Sequence, residues 1–199
     1  MWALVESNNV TKVYARPKGL TIGDVNYPSN IFMLWSSSEL EAIGIYEVVI
    51  NNTNYKDPAY YINTNQSFAF ADGTVTASYG TATALPLDDV LFTAQDETDG
   101  LGTEGEVRKP GIRKNHTGSI NAQAASILQL TDWMVIRAAE GGTAVPSSIT
   151  TKRAAVRTKA NAMCTAIDNA ADIDALAALY VYNDATPPVR PLGELPTVD

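Results

Sequence analysis

The chain has 199 residues, 45% of them hydrophobic and 18% charged, with a net charge of −8. That balance suits one globular domain or two small ones with a sizeable core, and it excludes a disordered or low-complexity chain. Its apolar runs, such as Val48–Ile50 and Met134–Ile136, fall far short of the roughly 20 residues of a bilayer span, and no basic stretch leads into a long apolar one near Met1, so neither membrane insertion nor an export signal is expected.

Residues 1–95 read as a β-rich unit of hairpins or a meander. Trp2–Glu6 and Val10–Ala15 are strand-like runs on either side of Ser7-Asn8-Asn9, which suits a hairpin turn. Pro17, Gly19, Gly23 and Pro28 then punctuate short extended pieces. Ser36 to Glu39 spells a capping box, in which a serine hydroxyl covers the amide three residues on and Glu39 reaches back. Gly44 is placed to stop the short helix it opens, and Ile45–Ile50 follows as a strand. Asp72-Gly73, between Ser67–Ala71 and Thr74–Tyr79, supplies the positive φ angles of a two-residue type I′ turn. Alternation puts Phe68 and Phe70 on one face of that hairpin and Ala69 and Ala71 on the other.

Residues 96–112 are acidic and Gly-rich with no apolar period, and are expected to be a linker. From Asn115 the period becomes helical, with Ile120, Ala124, Ile127, Leu128 and Thr131 on one stripe. A Thr131-Asp132-Trp133 corner and a Gly-Gly-to-Pro turn lead to a second helix. Its stripe is Ile149, Val156, Ala160, Met163 and Ile167, with Ser147 or Ser148 as N-cap. Asp172 can cap a third, short helix, and the Pro-rich residues 183–199 should form an extended arm. The expected fold class is α+β: a β-rich domain over 1–95, a linker over 96–112, a helical module over 113–182, and the arm.

Charge lies in blocks. Residues 1–106 hold 4 Lys/Arg and 14 Asp/Glu, residues 107–160 hold 9 and 2, and residues 161–199 hold 1 and 6. Nucleic acid requires an uninterrupted positive face, so a basic block between acidic ones reads instead as charge matching, within the chain or between subunits. Cys164, the only cysteine, leaves no intrachain disulfide and reads as a small buried residue on an Ala-rich face.

Gly100 to Gly105 has the spacing of a dinucleotide-binding loop, but Asp96, Glu97, Asp99, Glu104 and Glu106 around it would repel phosphate. The same run lacks a calcium loop's alternating ligands, since Thr98 and Gly100 fall where they should stand. His116, the only histidine, has no nucleophile elbow near it and reads as a helix-start residue with ordinary solvent contacts. No pair of carboxylates is singled out for hydrolysis. A non-enzymatic protein without cofactor or metal is expected.

The corner and second helix hold the residues most suited to packing or partner contact: Asp132, Trp133, Arg137, Glu140, Arg153 and Arg157. Trp133 has the bulk to anchor helix packing, and Asp132 can cap the following turn. The three arginines can fork onto Glu140 or onto acidic groups of the N-terminal unit.

Leu130-Thr131-Asp132-Trp133, Arg137 to Glu140, and Arg153 to Arg157 resemble the C-terminal region of phage tail assembly chaperones and tail-fibre-associated proteins. There leucines run into Asp-Trp, and a helix with two arginines four apart follows a short turn. Lys152 stands where that family often has an aromatic. Trp2 to Val5, Val10 to Tyr14, and Trp35, Glu39-Leu40 and Gly44-Ile45-Tyr46 resemble the opening module of phage tail-fibre-region proteins.

The resemblance implies a bacteriophage tail protein of the fibre or baseplate region: a virion adaptor made in the host cytoplasm, oligomeric in the particle and bound to other tail proteins. A transient tail assembly chaperone is the alternative it implies. Tyr55, Tyr60 and Tyr61, beside an Asn-rich loop, allow a third reading as a host-surface glycan-binding module.

Overall fold

The computed structural model describes residues 1–198 and divides the chain into two compact units, Met1–Thr83 and a second that begins at Ala84. The fold class is α+β, with the strands concentrated in the first unit and the long helices in the second.

In the first unit β1 (Trp2–Glu6) and β2 (Asn9–Tyr14) form an antiparallel hairpin. Its turn holds Ser7 and Asn8 at φ of 50° and 62°, the left-handed pair of a type I′ turn. A smaller hairpin of β3 (Leu20–Ile22) and β4 (Val25–Tyr27) precedes two short helices, α1 (Ile31–Leu34) and α2 (Ser37–Ala42). The capping box on α2 is complete: Ser36 Oγ accepts from the Glu39 amide, and Glu39 accepts from the Ser36 amide at 2.7 Å. Those bonds hold the Glu39 carboxyl below its usual range.

The strands β5 (Ile45–Asn51), β6 (Tyr61–Ile62), β7 (Gln66–Ala71), β8 (Thr74–Tyr79) and β9 (Thr83–Ala84) follow. The main sheet has the order β2-β1-β5-β8-β7, while β6 and β9 pair separately. Asp72 and Gly73, at φ of 50° and 74°, close the β7–β8 hairpin as their residue types require. The sheet departs from a simple meander at one place, because β5 pairs with β8 in parallel, Val48 opposite Val75. A parallel pair needs a crossover, and residues 52–73 supply it.

Phe68 and Phe70 share a face and pack on Ala3, Val48, Val75 and Ala77, as alternation predicts. On β1 and β5, Leu4 and Ile45 point the other way, into a second cluster with Tyr14, Leu20, Ile31, Phe32 and Leu40. Edge strands β2 and β7 approach each other, so the sheet curls.

The second unit opens with β10 (Val90–Leu91), α3 (Ala94–Thr98) and β11 (Val107–Lys109), the two strands pairing antiparallel. This corrects the expectation of a linker over 96–112. Thr93 and Asp96 form a second capping box, Arg108 pairs with Asp96 at 3.0 Å, and the Gly105 amide donates to the Phe92 carbonyl. Glycine-rich sequence without apolar period describes a turn-dense hairpin as well as it describes a linker. Accordingly the unit boundary lies at Thr83 and Ala84, not at the predicted 95–112.

Four helices complete the unit: α4 (Ile112–Gln129), α5 (Asp132–Ala139), α6 (Ser147–Asp168) and α7 (Ile173–Ala178). α4 and α6 pack together through Ile120, Ala124, Val156, Ala160, Met163 and Ile167, all buried and all on the predicted stripes. Cys164 is half-buried there, its Sγ 3.6 Å from Asn121 Oδ1. Burial, and then Asp168, pushes its thiol up.

The corner is larger than expected, since α5 is a helix in its own right. Neither Ser147 nor Ser148 caps α6: Ser147 is already helical, and the Pro146 carbonyl before it accepts the Thr150 amide. Asp172 does cap α7, accepting from the Ala175 amide at 2.7 Å. The described part of the 183–199 arm has no helix or strand but folds back on its own unit. The Leu192 amide donates to the Leu179 carbonyl, Lys159 Nζ donates to the Leu192 carbonyl, and Leu192 and Val198 are buried.

Candidate functional site

The predicted site residues sit where α4, α5 and α6 meet, and Arg153 is the centre of that junction. Its side chain projects from α6 and the residue is only 6% exposed. Nη1 donates to the Leu128 carbonyl at 2.7 Å and to Thr131 Oγ1 at 2.6 Å, and Nη2 donates to Asp132 Oδ1 at 2.7 Å. The Leu128 carbonyl, in the last turn of α4, also accepts from the Thr131 amide and hydroxyl, and Arg153 adds a charged donor to that group. A planar guanidinium can reach that carbonyl, a hydroxyl and a carboxylate at once, whereas an ammonium on a flexible stem cannot hold all three.

The other predicted residues divide sharply. Asp132 is engaged by Arg153 rather than capping a turn, and α5 starts from Thr131 without a side-chain cap. Trp133 does not anchor the helices, being 54% exposed. The Arg137 guanidinium lies 4.9 Å above the Trp133 ring, and its Nε is buried without a hydrogen-bond partner.

Glu140 closes α5 as an exposed C-cap residue and pairs with none of the three arginines. The expected forks onto Glu140 fail because Arg137 is drawn over the indole and Arg153 is turned inward. Arg157, one turn beyond Arg153, is exposed. With Val135, Val145, Thr150 and Arg153 it lines a mainly apolar cavity of about 280 Å³.

α5 itself is unusual for its composition. Its sequence, DWMVIRAA, is largely apolar, yet none of its residues is buried. Leu130 just before it is 67% exposed, and Ile136 is 57% exposed. Leu130, Trp133 and Ile136 recur every third residue and so share a side. An eight-residue helix has little stability alone in water, so the Arg153 clamp and the partial burial of Met134 and Ala138 hold it. Contiguous exposed apolar surface of this kind marks an interaction site more often than it marks a free face.

A second polar cluster escaped the sequence reading. Arg113 donates to Asp88 and to the Ala170 carbonyl, and Lys114 pairs with Asp89 at 3.0 Å. Asp89 also accepts from the Gly111 amide at 2.7 Å, and that bond, with Lys114, keeps its carboxyl below the usual range. The cavity here, about 350 Å³, is lined by cations that are already neutralised. It fastens residues 86–89 to the start of α4. The signal was present as two adjacent acids and two adjacent bases, Asp88-Asp89 and Arg113-Lys114.

His116 is also more engaged than expected: its Nδ1 lies 2.7 Å from the Tyr180 hydroxyl, and burial lowers its pKa. Of the three tyrosines in the glycan reading, Tyr55 packs against Tyr79 with tilted rings, their centres 5.0 Å apart, while Tyr60 and Tyr61 are half-buried. Among the described residues no group of three or more His, Cys, Asp or Glu is placed to hold a metal ion, and no helix is long and apolar enough to cross a membrane. No protein-family model matches this chain, and no curated protein or solved structure matches it.

Proposed function

We propose that this chain is a non-enzymatic structural adaptor of a bacteriophage tail, joining fibre or baseplate components and remaining in the virion. The observation that carries the reading is α5, an apolar helix with no buried residue that presents Trp133, under Arg137, to solvent. Tryptophan and arginine are the residues most enriched where binding energy concentrates in protein interfaces. The resemblance of Leu130–Trp133 and of the Arg153 and Arg157 pair to phage tail proteins supports placing that surface in a tail assembly.

Quantitative mass spectrometry of purified particles against infected-cell lysate tests the proposal. A fixed copy number per particle is expected. Abundance in the lysate with absence from particles would establish the transient chaperone instead. In the same assay Trp133→Ala should fold, because the side chain is exposed, and should enter particles less. Unchanged incorporation of a folded variant would overturn the docking role of α5.

A further inference from the structure

We infer that the cavity between α5 and α6 receives an apolar side chain flanked by a carboxylate, presented by an acidic segment of a partner protein. The inference rests on the adaptor reading and names the chemistry of one partner.

Val135, Val145 and Thr150 form much of the cavity wall, with Arg153 and Arg157 completing it. Its volume of about 280 Å³ falls just below the roughly 300–1,000 Å³ of small-molecule sites, a size that suits one or two side chains rather than a cofactor. The site is separate from the Trp133 surface. At about 100° per residue, Trp133 and Val135 leave α5 in nearly opposite directions.

Charge selects the occupant. Arg153 is fully committed to Leu128, Thr131 and Asp132. Arg157 is exposed, and its guanidinium has no hydrogen bond or ion pair among the described residues. The acids of residues 107–160 are Asp132 and Glu140, and Glu140 pairs with none of the arginines. Asp132 already serves Arg153. A free guanidinium beside an apolar cavity favours a carboxylate next to an apolar anchor. A nucleic-acid backbone would need a row of cations along a groove, and this site offers one at an apolar opening.

The test uses the full chain and fluorescein-labelled hexapeptides that place Asp or Glu on either side of Leu, Val or Phe. Matched peptides carry Asn or Gln in place of the acids. Fluorescence anisotropy gives affinity, and methyl NMR reports whether Val135 and Val145 move. Acidic peptides should bind and shift both valines, and the amide versions should bind about tenfold more weakly, the scale of one charge-assisted hydrogen bond. Arg157→Gln should lose the same factor, and Arg157→Lys should keep part of it. The exposed position of Arg157 predicts that both variants fold, which circular dichroism checks.

Equal binding of acidic and amide peptides, no saturable binding of any acidic peptide, or indifference to Arg157→Gln would overturn the inference. So would self-association that Arg157→Gln abolishes, which would assign the cavity to a second copy. Particle incorporation separates this failure from failure of the adaptor reading. If wild-type chain and Arg157→Gln both enter particles at the same copy number, the cavity assignment fails and the adaptor stands. Absence of wild-type chain from particles defeats the adaptor itself.

Discussion

Replacing Arg153 by alanine would remove three hydrogen bonds at once, those to Leu128, Thr131 and Asp132. The bond to half-exposed Asp132 is screened by water and counts for little. The bonds to the Leu128 carbonyl and the buried Thr131 hydroxyl count for more, because hydrogen bonds from a charged donor are worth about 1.5–3 kcal/mol each, although the two groups keep each other as partners. A loss of about 3 kcal/mol is expected by urea denaturation, with Arg153→Lys recovering less than half of it. An unchanged midpoint would refute the clamp.

His116 gives a pH dependence of definite sign. Burial lowers its folded pKa below the ordinary 6.5, so the folded state favours the neutral ring. Its contribution to stability is full above the unfolded pKa, is lost as pH falls from there through the folded pKa, and is then flat. His116→Gln should remove that slope just below pH 6.5 while leaving the later acid loss from carboxylates such as Asp89 and Glu194. Stability measured from pH 8 to 4 in both proteins decides it. The four-residue spacing of Arg153 and Arg157 placed both near one face of a helix. It could not say which would be buried, because that depends on where α5 folds over α6.

Among the elements, several with complete local chemistry were legible, α3 with its Thr93–Asp96 box being the exception. The Ser36–Glu39 box, the Asp172 cap and the Asp72-Gly73 turn each require only neighbours within a few residues. The α4 and α6 stripes were legible for the same reason, since a helical period reports its own buried side. The start of α4 was not legible, because its anchor is distant. Gly111 has an ordinary φ of −72°, but a Cβ there would stand 2.3 Å from the Asp88 carbonyl carbon and 2.6 Å from the Leu87 oxygen. Gly111→Ala should therefore cost about 2–3 kcal/mol through overpacking against backbone that cannot yield. A change within about 0.5 kcal/mol in thermal or urea unfolding, the range of an ordinary surface substitution, would show that residues 86–89 are not fixed there.

At the scale of the whole molecule, the alternating charge blocks find a structural use inside the second unit. Asp88, Asp89 and Asp96 from the acidic block pair with Arg113, Lys114 and Arg108 from the basic one. This is charge matching within the chain, and it explains why 96–112 folds as a hairpin instead of hanging free. Most of these pairs are partly exposed, so they direct the docking of segments more than they stabilise it.

The sequence by itself determined the α+β class, the Ser36 and Asp172 caps, the Asp72-Gly73 turn, the faces of the β7–β8 hairpin and the α4–α6 stripe, all set by local backbone preference or by a period within one element. Only the tertiary structure decided the parallel β5–β8 pair, the return of the arm over α6, the burial of Arg153 and the exposure of Trp133. Each depends on which distant segment arrives at a given surface. Residue type constrains that choice weakly, because arginine and tryptophan both carry a long apolar part and a polar end that suit either environment.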